Sequence, residues 1–371
     1  MSTPEIYSPG LEGVIAGETA ISTVTGGLRY RGYPVTQLAE KCSFEEVAHL
    51  LLKGDLPNRS QLDAFQKRLA ATPKLPAQIS GFLKEAPRSA SSMDVLRTAV
   101  SMLALYDPET DDNSRAANLR KAERLLAQIP IALAEHWRAT KGLAAVPSKP
   151  ELGFAANLLY MVRGKAPDDF ERKAFDVSLI LYAEHEFNAS TFTARVVCST
   201  EADLHSSIVA AIGALKGPLH GGANEKVMGV LEACGGPDKA EAWLRGTMAR
   251  KEKIMGFGHR VYKTGDVRAR VLKEYARQAA ERAGAVKWEQ CAEIFERILA
   301  DEKNLHPNLD WPAGRLYHAM GLETSLYTPF FVASRVTGWS AHVIEQLDHN
   351  RIIRPRARYT GPEERAVPKI S

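Results

Sequence analysis

The stretch SFEEVAHLLLKG, residues 43–54, contains the pattern that decides the fold class of this protein. Ser43 followed three residues later by Glu46 is a capping box, which marks the start of a helix. Gly54 is a typical helix stop. Between them, apolar residues recur at the spacing of one helical face: Phe44, Val47, Ala48, Leu51 and Leu52. The stretch therefore predicts an amphipathic helix whose apolar side packs against a core.

The same periodicity covers most of the chain. It predicts further helices over 60–71, 93–105, 119–137, 170–182, 204–215, 225–234, 239–250, 268–283, 289–302, 313–320 and 328–346. Strand-like residues occur only near the start, at Val14-Ile15 and at 28–30, with a turn at Gly26-Gly27. Residues 140–150 have the composition of a surface linker. We therefore expect an all-α protein with a small N-terminal β element.

Composition is close to the average for a soluble globular protein. The 371 residues carry a formal charge of +4, with 45% apolar and 25% charged residues. This excludes disordered and collagen-like classes, and the charge is too small to indicate a nucleic-acid partner. Charge-free runs reach about a dozen residues, whereas a membrane span needs roughly 18 or more. The four cysteines are far apart, and the N-terminus lacks the features of a signal peptide, so we expect a cytoplasmic protein with reduced thiols.

Candidate chemistry lies in loops that interrupt the helices. The first is AEHEFNAST, residues 183–191. His185 lies between two glutamates, so we expect it to retain its proton to higher pH than a free histidine. An exposed helical charge pair is the alternative. The zinc-protease pattern HExxH is absent because residue 189 is alanine.

Two further loops surround a histidine with glycine. In KGPLHGGANE, residues 216–225, the glycines permit positive φ and close approach of a ligand to His220, and a helix begins near Asn224. In IMGFGHRVYKTGDVR, residues 254–268, His259 precedes several basic residues. The nucleotide-binding patterns GxGxxG and Walker A both fail there, which leaves a basic loop suited to phosphate or carboxylate groups. Ordinary solvated turns are the alternative in both places.

The remaining candidates are an aspartate and two arginines. Asp310, in HPNLDWPAG at 306–314, precedes a helix with proline in its first turn, so helix capping alone could explain it. Arg335 lies in an apolar helical stretch, where arginine needs an anionic partner. Arg354 precedes a proline near the C-terminus.

In combination, these segments resemble the citrate synthase family. The matching pieces, in order, are GLEGVIAGETAI (10–21), LRYRGY (28–33), MDVLRT (93–98), EHEFNASTF (184–192), GPLHGGANE (217–225), GFGHRVYKTGDVR (256–268), PNLDW (307–311), SRVTGW (334–339) and RIIRPRARYTGPEER (351–365). The resemblance implies a mostly helical homodimer whose large domain, 1–221 and 326–371, is interrupted by a small domain, 222–325. The active site would lie in the cleft between domains and be completed by the partner subunit.

The implied reaction condenses acetyl-CoA, and also propionyl-CoA, with oxaloacetate and water to give citrate or 2-methylcitrate and CoA. Asp310 resembles the base that removes a proton from the acyl-CoA, His220 the residue that bonds the thioester oxygen, and His259 the residue that polarises the ketone of oxaloacetate. The residues that resemble oxaloacetate binders are His185, Asn188, Arg268, Arg335 and, from the partner subunit, Arg354. Lys263 resembles a CoA phosphate contact, and the adenine loop would be Ile254, Met255, Gly256, Phe257 and Gly258. Neither a metal nor a redox cofactor is implied, since acyl-CoA is a substrate.

The sequence does not decide whether acetyl-CoA or propionyl-CoA is the preferred substrate. Tyr182 and Leu309 resemble the residues at these positions in 2-methylcitrate synthases, so a dedicated enzyme that prefers propionyl-CoA is an alternative. One methylene changes binding by only about 1–3 kcal/mol, so small sequence changes can switch the preference. A metal-dependent hydrolase built on the three histidines and Asp310, and a non-catalytic helical interaction protein, are alternatives from other classes.

Overall fold

The computed structural model describes residues 7–72, 74–259, 262 and 265–367. It is mostly helical, which confirms the predicted class. The helices are α1 (Val35–Lys41), α2 (Phe44–Lys53), α3 (Arg59–Ala70), α4 (Ala77–Glu85), α5 (Ser92–Leu103), α6 (Arg115–Thr140), α7 (Phe154–Arg163), α8 (Asp169–Tyr182), α9 (Ala189–Cys198), α10 (Leu204–Leu215), α11 (Asn224–Cys234), α12 (Pro237–Ala249), α13 (Val267–Ala283), α14 (Val286–Lys303), α15 (Asp310–Ala319) and α16 (Tyr327–Asp348).

The helix predicted over 43–54 forms with both of its predicted ends. The Ser43 hydroxyl accepts a hydrogen bond from the Glu46 N–H, and the Glu46 carboxylate accepts one from the Ser43 N–H at 2.7 Å. Gly54 adopts φ 104° at the C-cap. This geometry confirms both predicted ends of α2.

The helices that the sequence analysis did not predict are short: α1, α4, α7 and α9. Helix α9 has the sequence ASTFTARVVC, whose polar and β-branched residues give weak helical periodicity and low propensity. Its start is fixed by Asn188, whose side-chain oxygen accepts a hydrogen bond from the Thr191 N–H. Packing against α10 and α16 then stabilises the helix.

A small antiparallel sheet lies near the N-terminus, as predicted, and the strand predicted at 28–30 forms, but the other predicted strand does not. Its strands are β1 (Ser22–Thr23), β2 (Arg29–Tyr30) and β3 (Tyr33–Pro34), in the order β1-β2-β3. Gly26 and Gly27 form the predicted turn with φ 70° and 104°. The strand predicted at Val14-Ile15 is wrong, because this segment pairs with no strand and leaves Ile15 89% exposed.

Helix α16 forms the centre of the core. Nearly all of its residues are buried, and it packs against α2, α6, α8, α9 and α10. Since other helices surround it, α16 buries residues around its whole circumference, including the polar Ser334, Arg335 and His342. Helices α11–α15 pack mainly against each other, and α13 also contacts α1 and α8. In the described part of the chain, no helix has the length and apolar character needed to cross a membrane.

Candidate active site

A single cleft of about 1590 Å³ gathers nearly all of the predicted site residues. It is bordered by the N-terminal segment 10–17, the end of α8, the loop before α11, the segment 251–259 and the start of α15. The predicted residues that line it are His185, Asn188, His220, Ile254, Met255, Gly256, Phe257, Gly258, His259, Arg268, Asp310 and Arg335. Residues up to 150 positions apart in sequence therefore share one solvent-accessible space.

Asp310 is the first residue of α15 and does not cap it. The N-cap is Leu309, so the capping alternative is wrong. The Asp310 carboxylate instead accepts a 2.7 Å hydrogen bond from the Tyr182 hydroxyl. Burial raises the pKa of Asp310 to about 6, while that hydrogen bond and the positive charge of Arg268 oppose the rise. A carboxylate with this pKa is ionised at neutral pH and is a stronger base than a free aspartate.

His220 lies in the loop after α10, as predicted, but the neighbouring glycines are not required for positive φ, contrary to the prediction from the sequence. Gly221 and Gly222 do not adopt positive φ. A Cβ on Gly221 would lie 2.6 Å from the Leu215 side chain, and one on Gly222 would lie 2.8 Å from the Lys216 carbonyl oxygen. The glycines let the loop pack against the end of α10, and this packing places His220 at the cleft.

The His220 ring is neutral at physiological pH. Burial, assisted by the positive charge of Arg335, lowers its pKa to about 3. Its Nε2 atom lies 2.7 Å from the Ser190 hydroxyl oxygen. A neutral imidazole keeps one N–H and can donate a hydrogen bond without introducing a charge into the cleft.

His185 and His259 lie side by side, with ring centroids 5.0 Å apart. The Tyr262 hydroxyl oxygen is 2.9 Å from Nε2 of His185. Burial, Arg268 and His259 lower the pKa of His185 well below its usual value, so the expectation of a strongly held proton is wrong. Burial and Arg268 also lower the pKa of His259, to about 4.

The two glutamates beside His185 do not raise its pKa because both face elsewhere. Glu184 accepts hydrogen bonds from the Ser22 hydroxyl and pairs with His342 at 2.9 Å. Glu186 accepts a hydrogen bond from the Val24 N–H. The two carboxylates join the N-terminal sheet to the helices and leave His185 among positive neighbours.

Gly338 allows α16 to approach the segment that ends in His185. A Cβ at this position would clash with the Ala183 carbonyl oxygen and a Glu184 carboxylate oxygen. The close approach brings the negative charge of Glu184 near Arg335, one turn earlier on α16. The glycine therefore fixes the buried charges behind the cleft.

Two buried arginines supply positive charge to the cleft. Arg268 makes a double ion pair with Asp266, with N–O distances of 3.0 and 2.8 Å. Arg335 donates from Nε to the Tyr182 carbonyl oxygen, and its guanidinium lies 4.7 Å from the centroid of the Phe331 ring. No described residue accepts a hydrogen bond from Nη1 of Arg335. Such a buried, unpaired donor favours an anionic ligand.

The segment 254–258 is held by backbone hydrogen bonds to the loop that precedes α15. The Gly258 N–H donates to the His306 carbonyl oxygen at 2.8 Å, and the Asn308 N–H donates to that of Gly256 at 2.9 Å. Gly256 has φ 88°, and a Cβ there would lie 2.8 Å from the Trp311 side chain, so only glycine fits. Lys263 lies outside the described residues.

Several cleft residues were not predicted. The lysines Lys251, Lys253 and Lys303 line the cleft together with the segment 10–17. The charged run 250–253 was a usable indication for two of them. Tyr262 and Ser190, which contact His185 and His220, had no distinguishing pattern. Arg354 does not line this cleft; it lies exposed in the segment 351–367, which has no helix or strand. Within the described ranges, His, Cys, Asp and Glu side chains form no group of three that could hold a metal ion.

The chain is similar in sequence to one known family. The family "Citrate synthase, C-terminal domain" matches residues 10–356. Citrate synthase 2 of Bacillus subtilis is 46% identical over 357 residues, with 96% of each chain covered. The 2-methylcitrate synthase of Mycobacterium tuberculosis is 46% identical over 366 residues, covering 97% of this chain and 92% of the relative.

Solved structures of citrate synthases are similar to this fold. Citrate synthase from Thermoplasma acidophilum, in a ternary complex with carboxymethyl coenzyme A and oxaloacetate, has a TM-score of 0.94 at 33% identity and covers 99% of both chains. Citrate synthase from Thermotoga maritima has a TM-score of 0.88 at 37% identity, with 98% coverage of both chains. The chain therefore belongs to the citrate synthase family of acyltransferases.

Proposed function

We propose that this enzyme condenses an acyl-CoA with oxaloacetate and water, releasing CoA and citrate or an alkyl-substituted citrate. The observation that carries the proposal is the pairing of one buried carboxylate, Asp310, with two neutral histidines, His220 and His259, in a cleft that also contains Arg268 and Arg335. A base, two neutral hydrogen-bond donors and two carboxylate-binding cations are the groups that this reaction needs.

The reaction divides among these residues. The Asp310 carboxylate removes a proton from the α-carbon of the acyl-CoA, and an N–H of His220 donates to the thioester oxygen as negative charge develops there. His259 donates to the ketone oxygen of oxaloacetate, which makes the ketone carbon more electrophilic. The enol carbon then attacks that carbon, and hydrolysis of the thioester releases CoA. His185, Asn188, Arg268 and Arg335 hold the oxaloacetate carboxylates.

The CoA portion binds at the lysine-rich end of the cleft. Residues 254–258 contact its adenine, and Lys263 contacts a phosphate, with Lys251, Lys253 and Lys303 adding positive charge. In this proposal residues 222–325 form a small domain that closes over oxaloacetate against the remainder of the chain. The reaction requires no metal or redox cofactor, and the protein acts in the cytoplasm.

Arg354 completes the site of a partner subunit in a homodimer. This proposal is supported by its exposed position in a segment without helix or strand, where it does not line the cleft of its own chain. Subunit complementation tests it: Asp310→Asn and Arg354→Ala chains, each inactive alone, are unfolded together, refolded and assayed. About half of the refolded dimers are mixed, and each mixed dimer has one intact site of two, so the mixture should regain about a quarter of wild-type activity. No recovery, despite verified mixed dimers, would contradict the shared site.

Among acyl-CoAs, we propose acetyl-CoA as the substrate, with propionyl-CoA accepted. Tyr182, Leu309 and Phe331 line the cleft around Asp310 and border the space for the acyl chain. Thiol release with oxaloacetate gives kcat/KM for both thioesters. A ratio in favour of acetyl-CoA by up to about 100-fold supports the proposal, since one methylene contributes about 1–3 kcal/mol. A clear preference for propionyl-CoA would instead establish a dedicated 2-methylcitrate synthase, and no thiol release with either would refute the reaction.

A further inference from the structure

Trp339 lies behind the cleft and connects to its chemistry through one hydrogen bond. It follows Arg335 by one turn of α16, is completely buried and does not line the cleft. Its indole N–H donates a 3.1 Å hydrogen bond to the Ser190 hydroxyl oxygen. An indole N–H has no acceptor capacity, so the direction of this bond is fixed.

Ser190 contacts His220 through two separate groups. The Ser190 hydroxyl oxygen lies 2.7 Å from Nε2 of His220, and the Ser190 backbone N–H donates to the same nitrogen at 3.3 Å. Ser190 is the second residue of α9, where backbone N–H groups have no partner within the helix. The start of α9 therefore points a fixed donor at the His220 ring.

These contacts determine which ring nitrogen of His220 carries the proton. A backbone N–H can only donate, so it favours an accepting Nε2 with the hydrogen on Nδ1, but at 3.3 Å it is a long hydrogen bond and leaves part of this preference to the Ser190 hydroxyl. The Ser190 hydroxyl has one hydrogen, and Nε2 of His220, at 2.7 Å, is one of its two acceptors. The Asn188 side-chain oxygen, 2.8 Å from the hydroxyl, competes for this hydrogen, but it already accepts the Thr191 N–H.

We propose that Trp339 is a positioning residue for this chemistry: by occupying a lone pair of the Ser190 hydroxyl, it holds the hydroxyl against Nε2 and keeps His220 in the Nδ1–H tautomer. That tautomer presents an N–H to the thioester oxygen, whereas the other presents a lone pair that repels the developing negative charge. The inference rests on the proposed function of His220 as the donor to that oxygen.

Losing the indole N–H frees the Ser190 hydroxyl to rotate towards Asn188, and His220 then populates the Nε2–H tautomer. Removing a complete oxyanion donor lowers kcat by about 100- to 1,000-fold. Because the tautomer shifts only in part, we expect kcat to fall by about 10-fold while the KM for oxaloacetate changes by less than about twofold.

The test replaces Trp339 with 3-benzothienylalanine, which has the shape of tryptophan but a sulfur in place of the N–H. Steady-state kinetics give kcat and KM, and ¹⁵N chemical shifts of labelled histidine rings report the His220 tautomer, assigned by its absence in His220→Asn. The same replacement at Trp243, which stacks on Phe295 away from the cleft, is the matched control. Ser190→Ala should lower kcat similarly, and adding it to the Trp339 replacement should cause little further loss.

A lower kcat together with increased Nε2–H population supports the inference. An unchanged tautomer overturns it whatever the rate, and so does a changed tautomer with unchanged kcat. The proposed function fails separately: if His220→Asn retains near-normal turnover, His220 is not the donor. If His220→Asn is inactive but the Trp339 replacement behaves as wild type, only the positioning role of Trp339 is wrong.

Discussion

The Tyr182 hydroxyl donates a 2.7 Å hydrogen bond to Oδ1 of Asp310 and thereby joins the end of α8 to the start of α15. Burial and the charge of Asp310 raise the pKa of Tyr182 well above its usual value, so the phenol remains a donor throughout the working pH range. The bond stabilises the ionised carboxylate and limits the rise in the pKa of Asp310 that burial causes. Tyr182 thus sets the strength of the proposed base.

Tyr182→Phe should shift the acid limb of the pH profile of kcat/KM to higher pH. The limb lies near pH 6 in the wild type because Asp310 must be ionised to act as a base. A hydrogen bond to a charged group contributes about 1.5–3 kcal/mol, so the limb should move by about one pH unit or more. Activity should therefore fall several-fold at pH 7 and largely recover at pH 9. Tyr327→Phe, which removes a buried hydroxyl bonded to the Leu322 carbonyl, is the control; identical profiles for both variants would contradict this role.

Asp310→Asn should lower kcat for CoA release by at least about 100-fold, the usual contribution of a general base. The fold should survive, since the amide oxygen can still accept the Tyr182 hydrogen bond. Thiol release and circular dichroism measure the two effects. Turnover within tenfold of wild type would show that Asp310 is not the base.

The same substitution predicts a pH-dependent change in stability. The folded pKa of Asp310, about 6, is above its ordinary value of 3.8, so this group favours folding below pH 4 and loses that contribution as pH rises through 6. The amide of Asp310→Asn does not titrate, so this variant does not lose stability in this way as pH rises. Its melting temperature relative to wild type should therefore rise between pH 4 and pH 7; a constant difference would mean that the carboxyl is not perturbed.

Gly338→Ala should destabilise the fold by about 1–3 kcal/mol, because the new methyl group meets the Ala183 carbonyl oxygen and Glu184 in a packed core. The KM for oxaloacetate should also rise, since Arg335 and His185 lie on the two segments that are forced apart. Urea unfolding and kinetics measure both. Gly229→Ala is the control: a Cβ there meets nothing within 4 Å on α11, and the change should be neutral or stabilising.

Glu289→Gln should destabilise the protein by about 3–5 kcal/mol, since it leaves the buried guanidinium of Arg315 without the negative charge of its 2.7 Å partner between α14 and α15. Urea unfolding gives the free energy. Glu241→Gln removes an exposed carboxylate paired with Arg245 within α12 and should change stability by less than about 0.5 kcal/mol. Equal effects of the two substitutions would contradict the importance of burial.

The sequence by itself determined the features that depend on neighbouring residues. The capping box at Ser43 and the stop at Gly54 fixed α2, and apolar periodicity located most of the other helices. The glycine-flanked histidines and the segment of Asp310 were sufficient to identify the family. Each of these patterns is complete within about a dozen residues, so no knowledge of the tertiary fold was required.

Only the tertiary structure decided the properties that depend on distant groups. The pKa of His185 is lowered by burial and by Arg268 and His259 beside the ring, while Glu184 and Glu186 face the N-terminal sheet and do not oppose this shift. The pKa of Asp310 is affected by a hydrogen bond from Tyr182, 128 positions earlier. His220 contacts Ser190, which accepts a hydrogen bond from Trp339, 149 positions after Ser190. Charge and hydrogen bonding act through space over a few ångströms, and the order of residues along the chain does not specify which side chains will meet at that distance.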